Sequence, residues 1–276
     1  MVRKPRLALI GAGHMGLALA KSWIKQGLIS KQGWLVIVDP NPSEAAQKLA
    51  EQLKIVIIPE LESEQASLLE TLVLAVKPKL IPEVGQTLAR ILPKTTLIIS
   101  VAAGVTLNRL NEVFGSRPLV RAMPNMPAAI GRGATVFVTG PGADKAARAQ
   151  AHALLSASGM AEEVVEEKTL DAVTAVSGSG PAYVFLLAEA LAVAGVAEGL
   201  DPELAKKLAC ETVAGAGELL RQRGCDPAIL RAEVTSPGGT TAAAMDVLMG
   251  SGGFAEMMRR AVNSAARRSS QLGSQS

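Results

Sequence analysis

A chain of 276 residues is long enough to bury a substantial core and to form two domains. Hydrophobic residues at 49% and charged residues at 19% exclude general disorder. A net charge of +3 spread without a basic run, with aromatic residues at 3%, provides neither the electrostatic stripe nor the stacking platform that a nucleic-acid partner requires.

Arg3, Lys4 and Arg6 precede a first apolar run, Leu7-Ala8-Leu9-Ile10, which stops at Gly11. Four residues are too few for the apolar region of a secretory signal, so the run reads as a strand. Helical spacing follows from Met15 to Lys25. Trp34 to Val38 is a second strand, closed by Asp39-Pro40, and Ser43 to Leu53 is a helix. Strands at Ile55–Ile58, Leu72–Val76 and Leu97–Ser100 continue the alternation, and Pro118–Arg121 and Ala134–Thr139 extend the sheet. Strands that are apolar throughout and alternate with helices imply a parallel sheet covered on both faces.

From about Glu167 the strand signal ends. Pro181 opens a long helix after Ser179-Gly180, Asp201-Pro202 and Asp226-Pro227 each supply an N-cap followed by proline at the first helical position, and Gly252-Gly253 separates two last helices. The tail Gly273–Ser276 is expected to fray. The fold class is therefore α/β. A Rossmann-like doubly wound sheet over residues 1–166 is followed by an all-helical domain over 167–276. Residues 183–197 are apolar on nearly every face, and a helix of that kind must be buried. A domain of this size cannot cover several such helices alone, so an obligate homodimer is expected, with no membrane partner. Cys210 and Cys225 lack a CxxC or a histidine pair, which indicates reduced thiols, no metal and a cytoplasmic chain.

Gly11-Ala12-Gly13-His14-Met15-Gly16 fits GxGxxG between a strand and a helix, and Asp39 lies 23 residues further on. Gly11 permits the tight turn, Gly13 lets backbone approach a pyrophosphate, and Gly16 lets helix pack on strand. Asp39 stands where a carboxylate takes a ribose 2′-hydroxyl, which favours NADH. The same residue in Asp39-Pro40-Asn41-Pro42-Ser43 also suits a turn cap, so NADH and NADPH both stay open. Ala75-Val76-Lys77-Pro78 ends the fourth strand, on the side where such sheets bind ligands. Near the C-terminus, Thr235-Ser236-Pro237-Gly238-Gly239-Thr240-Thr241 leads into an apolar helix. Hydroxyls and free N–H groups at a helix start suit a small carboxylate.

Taken together with Ser100-Val101-Ala102-Ala103-Gly104-Val105-Thr106, Arg121-Ala122-Met123-Pro124-Asn125 and Ser177-Gly178-Ser179-Gly180-Pro181-Ala182-Tyr183, these motifs resemble the Δ1-pyrroline-5-carboxylate reductase family from Leu9 to about Leu272. The resemblance implies reduction of a cyclic imino acid to L-proline by NADPH or NADH, and a homodimer or larger homo-oligomer. It implies that Ser236 and the N–H groups of Gly239, Thr240 and Thr241 hold the carboxylate, that Thr241 donates a proton to the imine nitrogen, and that Glu167 lies near that nitrogen. It also implies that Met123, Pro124 and Asn125 line the nicotinamide side, that Ala102 and Ala103 lie by its ribose, and that Ser177–Pro181 leads into the dimer helix. The chain departs from the family at Met126-Pro127, where Thr-Pro is usual, at Glu62 in place of an asparagine, at Asp226-Pro227 in place of His-Pro, and at Glu233 in place of an amide. Two other readings compete: a β-hydroxyacid dehydrogenase, which would need a catalytic lysine in the second domain, and a dinucleotide sensor, which would not need the Ser236–Thr241 turn.

Overall fold

The computed structural model describes residues 6–29 and 34–275. Arg3 and Lys4, the basic residues ahead of the first strand, lie outside the described residues, as does Ser276. The chain divides into two compact units, Met1–Gly178 with Ala266–Ser276 and Ser179–Ala265.

The first unit begins β1 (Leu7–Ile10), α1 (His14–Lys25), β2 (Leu35–Val38), α2 (Glu44–Leu53), β3 (Val56–Ile58), α3 (Ser63–Ala66), β4 (Thr71–Leu74) and α4 (Ile81–Ile91). It continues with β5 (Leu97–Ser100), α5 (Leu107–Phe114), β6 (Leu119–Met123), β7 (Gly133–Thr139), α6 (Lys145–Ser156), β8 (Gly159–Glu163) and α7 (Thr169–Val173). Among the described residues the strands form one sheet ordered β3-β2-β1-β4-β5-β6-β7-β8. The strand order reverses between β1 and β4, which opens a crevice at the carboxyl ends of those strands.

Every residue of β1, β2, β4 and β5 is buried, as strands covered on both faces require. Alternation by two sends Leu7 and Leu9 to one core with Trp23, Ile37 and Phe137, and Ala8 and Ile10 to the other with Leu72, Leu88 and Phe114. The indole Nε1 of Trp23 donates to Leu154 O at 2.7 Å, which satisfies its one donor and ties α1 to α6.

The sheet is not wholly parallel, as the strand pattern had suggested. β7 runs antiparallel to β6, because the short link from Asn125 to Gly131 leaves no room for a crossover helix. β8 is an added strand that the sequence does not signal: Gly-Met-Ala-Glu-Glu has no apolar run, and its glutamates protect an exposed edge.

Arg117 is 2% exposed and has four carbonyl partners: Pro93, Phe114, Ala89 and Leu92, at 2.5 to 2.9 Å. One guanidinium thus caps the carboxyl ends of α4 and α5. Burial pushes its pKa below the ordinary arginine value.

The last helix, α12 (Phe254–Gln275), ends beside the sheet of the first unit. Its helical backbone runs through Gly273 to Gln275. Ser269 Oγ donates to Asp171 at 2.6 Å, and Leu272 Cβ lies where a Cβ on Gly104 would be only 3.5 Å away.

The second unit holds α8 (Gly180–Ala197), α9 (Pro202–Arg223), α10 (Pro227–Glu233) and α11 (Thr240–Leu248). Asp201 and Asp226 cap α9 and α10 through backbone N–H groups at 2.8 to 3.1 Å. α8 packs closely on α9: a Cβ on Gly195 would lie 3.4 Å from Ala205 Cβ. Yet no residue of α8 is buried in the single chain, and Phe185, Leu186 and Val193 are about three-fifths exposed or more. The helical run Thr169–Ala197 is long and apolar enough to cross a membrane by length and composition alone.

Candidate active site

The glycine turn after β1 has the geometry its spacing implies. Gly11 has φ +100°, and a Cβ there would lie 2.8 Å from Ala75 O. A Cβ on Gly16 would collide with Gly11 O, so α1 can approach the turn only without a side chain. A Cβ on Gly13 would meet open space, which marks the side from which a ligand can approach. α1 starts at His14 with Gly13 as its N-cap, and no side chain occupies the free N–H groups there. Met15 packs partly buried against the core, and Ala12 is buried.

A groove of about 690 Å³ opens from this turn. It is lined by Gly11, Gly13, Asp39, Ala75, Val76 and Lys77, so the structure brings together six of the residues expected to hold a dinucleotide. Pro78 starts the short 3₁₀ turn that leads Lys77 into α4. Asp39 follows β2 and is held from two sides: Oδ2 accepts Ala12 N–H at 2.8 Å and Oδ1 accepts Asn41 N–H at 2.9 Å. The turn-cap and ligand readings of Asp39 are therefore compatible, since each oxygen retains a lone pair for a hydroxyl. Glu60, which follows β3, also lines the groove and was missed. Glu62 instead caps α3 in a capping box with Gln65.

Further along the sheet, Ala102 is buried, its N–H donating to Ser100 Oγ at 3.3 Å, and Ala103 is exposed. Met123-Pro124-Asn125 leaves β6. The amide of Asn125 is used within the protein: Oδ1 accepts Ala134 N–H at 2.8 Å and Nδ2 donates to Ser177 O at 3.0 Å. Ser177 lies in a π-helical turn, Thr174–Gly178, of the kind that marks functional sites in helices. A Cβ on Gly178 would lie 2.6 Å from Met123 Cε, so that glycine makes room for the Met-Pro-Asn segment.

Glu167 Oε1 accepts both Arg121 Nη1 at 2.7 Å and the N–H of Leu107 at 2.8 Å. The carboxylate thus pairs with a nearly buried guanidinium and sits at the start of α5, where the helix dipole favours it. Arg121 was not singled out. The available signal was a single charged residue inside an otherwise apolar strand.

In the second unit the turn Thr235–Thr241 forms as its residues dictate. Gly238 has φ +69°, Gly239 is the N-cap of α11, and Thr240 and Thr241 are its first two residues. Gly239 N–H donates to Ser236 O at 3.1 Å, and a Cβ on Gly239 would lie 2.5 Å from Ser236 Oγ. The hydroxyl of Ser236 is therefore folded over the glycine at the mouth of the helix. Ser236 and Thr240 are exposed and Thr241 is half-buried. Of the departures, Met126 is 66% exposed, and Glu233 pairs with Arg223 at 2.8 Å. Among the described residues no cluster of histidine, cysteine or carboxylate suited to a metal occurs.

Residues 167–272 match the family described as pyrroline-5-carboxylate reductase dimerisation, and residues 6–104 match one described as NADP oxidoreductase, coenzyme F420-dependent. A pyrroline-5-carboxylate reductase of Pseudomonas aeruginosa is 40% identical over 272 residues, 98% of each chain. One of Arabidopsis thaliana is 38% identical over 97% of this chain and 95% of its own. Among solved structures, the reductase of Coxiella burnetii is 33% identical with a TM-score of 0.88 and covers 98% of this chain and 99% of its own. That of Plasmodium falciparum, solved with NADP bound, is 29% identical with a TM-score of 0.82 and covers 99% of this chain and 100% of its own. This chain belongs to the pyrroline-5-carboxylate reductase family.

Proposed function

We propose that this chain reduces Δ1-pyrroline-5-carboxylate to L-proline with NAD(P)H, using the groove beyond β1 for the dinucleotide and the Thr235–Thr241 turn for the substrate carboxylate. The observation that carries the substrate assignment is the placement of Ser236 Oγ over Gly239 at the start of α11. A hydroxyl and unpaired helix-start N–H groups there suit an anion with one compact charged end.

When bound, the reduced nicotinamide supplies a hydride to the imine carbon, while the ring nitrogen takes up one proton, giving the saturated ring and the oxidised dinucleotide. The chain's own residues bind and orient. Gly11, Gly13 and the start of α1 at His14 would receive the pyrophosphate, Asp39 the adenosine ribose, and Ala75 to Pro78, Ala102, Ala103 and Met123 to Asn125 the remainder. Ser236, Gly239, Thr240 and Thr241 fix the substrate carboxylate, and Thr241 Oγ1 places a proton-bearing hydroxyl by the ring nitrogen. Glu167 acts from its bond to Arg121, setting charge on that side of the sheet. Hydride transfer depends on position more than on a strong acid, which agrees with a chain whose histidines are His14 and the exposed His152.

The segment 167–276 serves substrate binding and dimerisation. The bare face of α8 supports an obligate homodimer, because a monomer would leave Phe185, Leu186 and Val193 in water. A cytoplasmic location fits the free thiols Cys210 and Cys225. The test is direct: chain, pyrroline-5-carboxylate and reduced dinucleotide are mixed, and absorbance of the reduced cofactor is followed with product proline. Substrate-dependent oxidation with matching proline is expected. Absence of oxidation with both NADH and NADPH would refute the assignment.

A further inference from the structure

We propose that this chain selects NADH over NADPH, with Asp39 and Glu60 rejecting the 2′-phosphate. This rests on the dinucleotide reading of the groove and asks which dinucleotide the groove takes. The two carboxylates follow β2 and β3, which are neighbours in the sheet, and both line the same groove. A phosphate on the ribose held by Asp39 would bring about two further negative charges to that end.

Among the described residues, no cation lines the groove on the β2 and β3 side. At the start of α2 Ser43 Oγ already accepts Ala46 N–H at 3.2 Å, and Glu44 places a further carboxylate in the first turn, which disfavours a second anion there. Lys48, the nearest lysine on α2, is largely in solvent, 3.9 Å from Glu44, and does not line the groove. The lysines that line the groove, Lys77 and Lys79, follow β4. β4 lies across β1 from β2, two strand spacings or ~10 Å away. Asp39 and Glu60 thus line the ribose end without a cation, while Lys77 and Lys79 stand with Glu83 on the β4 side. Among the described residues no arginine, the usual partner of a 2′-phosphate, lines the groove.

The dissociation constants of NADH and NADPH for the full-length protein are read from the fluorescence of the bound reduced nucleotide, without substrate. NADH is expected to bind at least tenfold more tightly at low ionic strength, and the ratio is expected to shrink as salt is added. Glu60→Gln, at an exposed position, is expected to narrow the ratio several-fold by strengthening NADPH binding. Asp39→Ser, which keeps a side-chain oxygen and removes the charge, is expected to narrow it further by also weakening NADH. Equal affinities in the unaltered protein, tighter NADPH, or a ratio unmoved in both variants would overturn the proposal while leaving the dinucleotide site intact. Failure of both nucleotides to bind would overturn that site and the proposal together.

Discussion

Arg121 Nη1 and Glu167 Oε1 lie 2.7 Å apart, and the same carboxylate oxygen receives the N–H of Leu107. One acidic side chain therefore joins the middle of β6, the start of α5 and the chain that leads into α7. The guanidinium is 9% exposed and the carboxylate 29%. Removing the carboxylate strands a nearly buried cation, which costs more than the pair itself contributes.

Glu167→Ala is expected to lower the stability of the protein by ~1–3 kcal/mol, because partial exposure lets water recover some of the loss. Glu167→Gln keeps an acceptor for Leu107 N–H and is expected to cost less. Urea unfolding of the two variants measures this. Equal stability for both and for the unaltered chain would mean that the bond is inert. If Glu167 also sets charge beside the ring nitrogen, Glu167→Gln lowers kcat at unchanged fold.

Arg117 makes a separate stability prediction. Arg117→Met is expected to destabilise by ~2–4 kcal/mol, since four carbonyls at the ends of α4 and α5 lose their donor in a site where water is excluded. Arg117→Lys, with fewer donors in a different geometry, should fall between. Thermal unfolding reads both, and a neutral Arg117→Met would show that water replaces the guanidinium.

The glycines of the β1 turn separate folding from binding. Gly16→Ala forces a side chain into Gly11 O and is expected to destabilise the first unit or prevent its folding. Gly13→Ala meets no protein atom and is expected to leave the melting temperature of the protein without nucleotide within a few degrees, while weakening dinucleotide binding at least tenfold. A Gly13→Ala variant that binds normally would show that the backbone does not approach the ligand there.

Much of this was legible before the fold was known. Leu7-Ala8-Leu9-Ile10 followed by glycines states both a covered strand and a turn, because a strand apolar on both faces must be buried on both. The Ser236–Thr241 turn was legible because hydroxyls and glycines before an apolar helix admit few conformations. Three features were not. β8 takes its place from pairing with Gly133–Phe137 and not from its own composition. Glu60 became visible only when strand order placed β3 beside β2. Asn125 reads as a ligand-facing amide, yet tertiary contacts with Ala134 and Ser177 engage its amide, and those partners are distant in sequence.

The proposed homodimer carries its own test. Val193→Glu, on the exposed face of α8, places a charge where a partner copy would bury it and is expected to shift the protein to monomer in sedimentation. An unaltered chain that sediments as a monomer at micromolar concentration would contradict the burial argument.

The assignment of the Thr235–Thr241 turn to the substrate carboxylate is tested most directly by kcat/KM for pyrroline-5-carboxylate against 1-pyrroline, the same ring without the carboxylate, in the unaltered chain and in Ser236→Ala. A preference of at least a hundredfold for the carboxylate-bearing ring is expected in the unaltered chain. In the variant that preference should shrink by the ~1–3 kcal/mol of a lost charge-assisted hydrogen bond, mainly through KM. An unchanged preference in Ser236→Ala, or no preference in the unaltered chain, would contradict it.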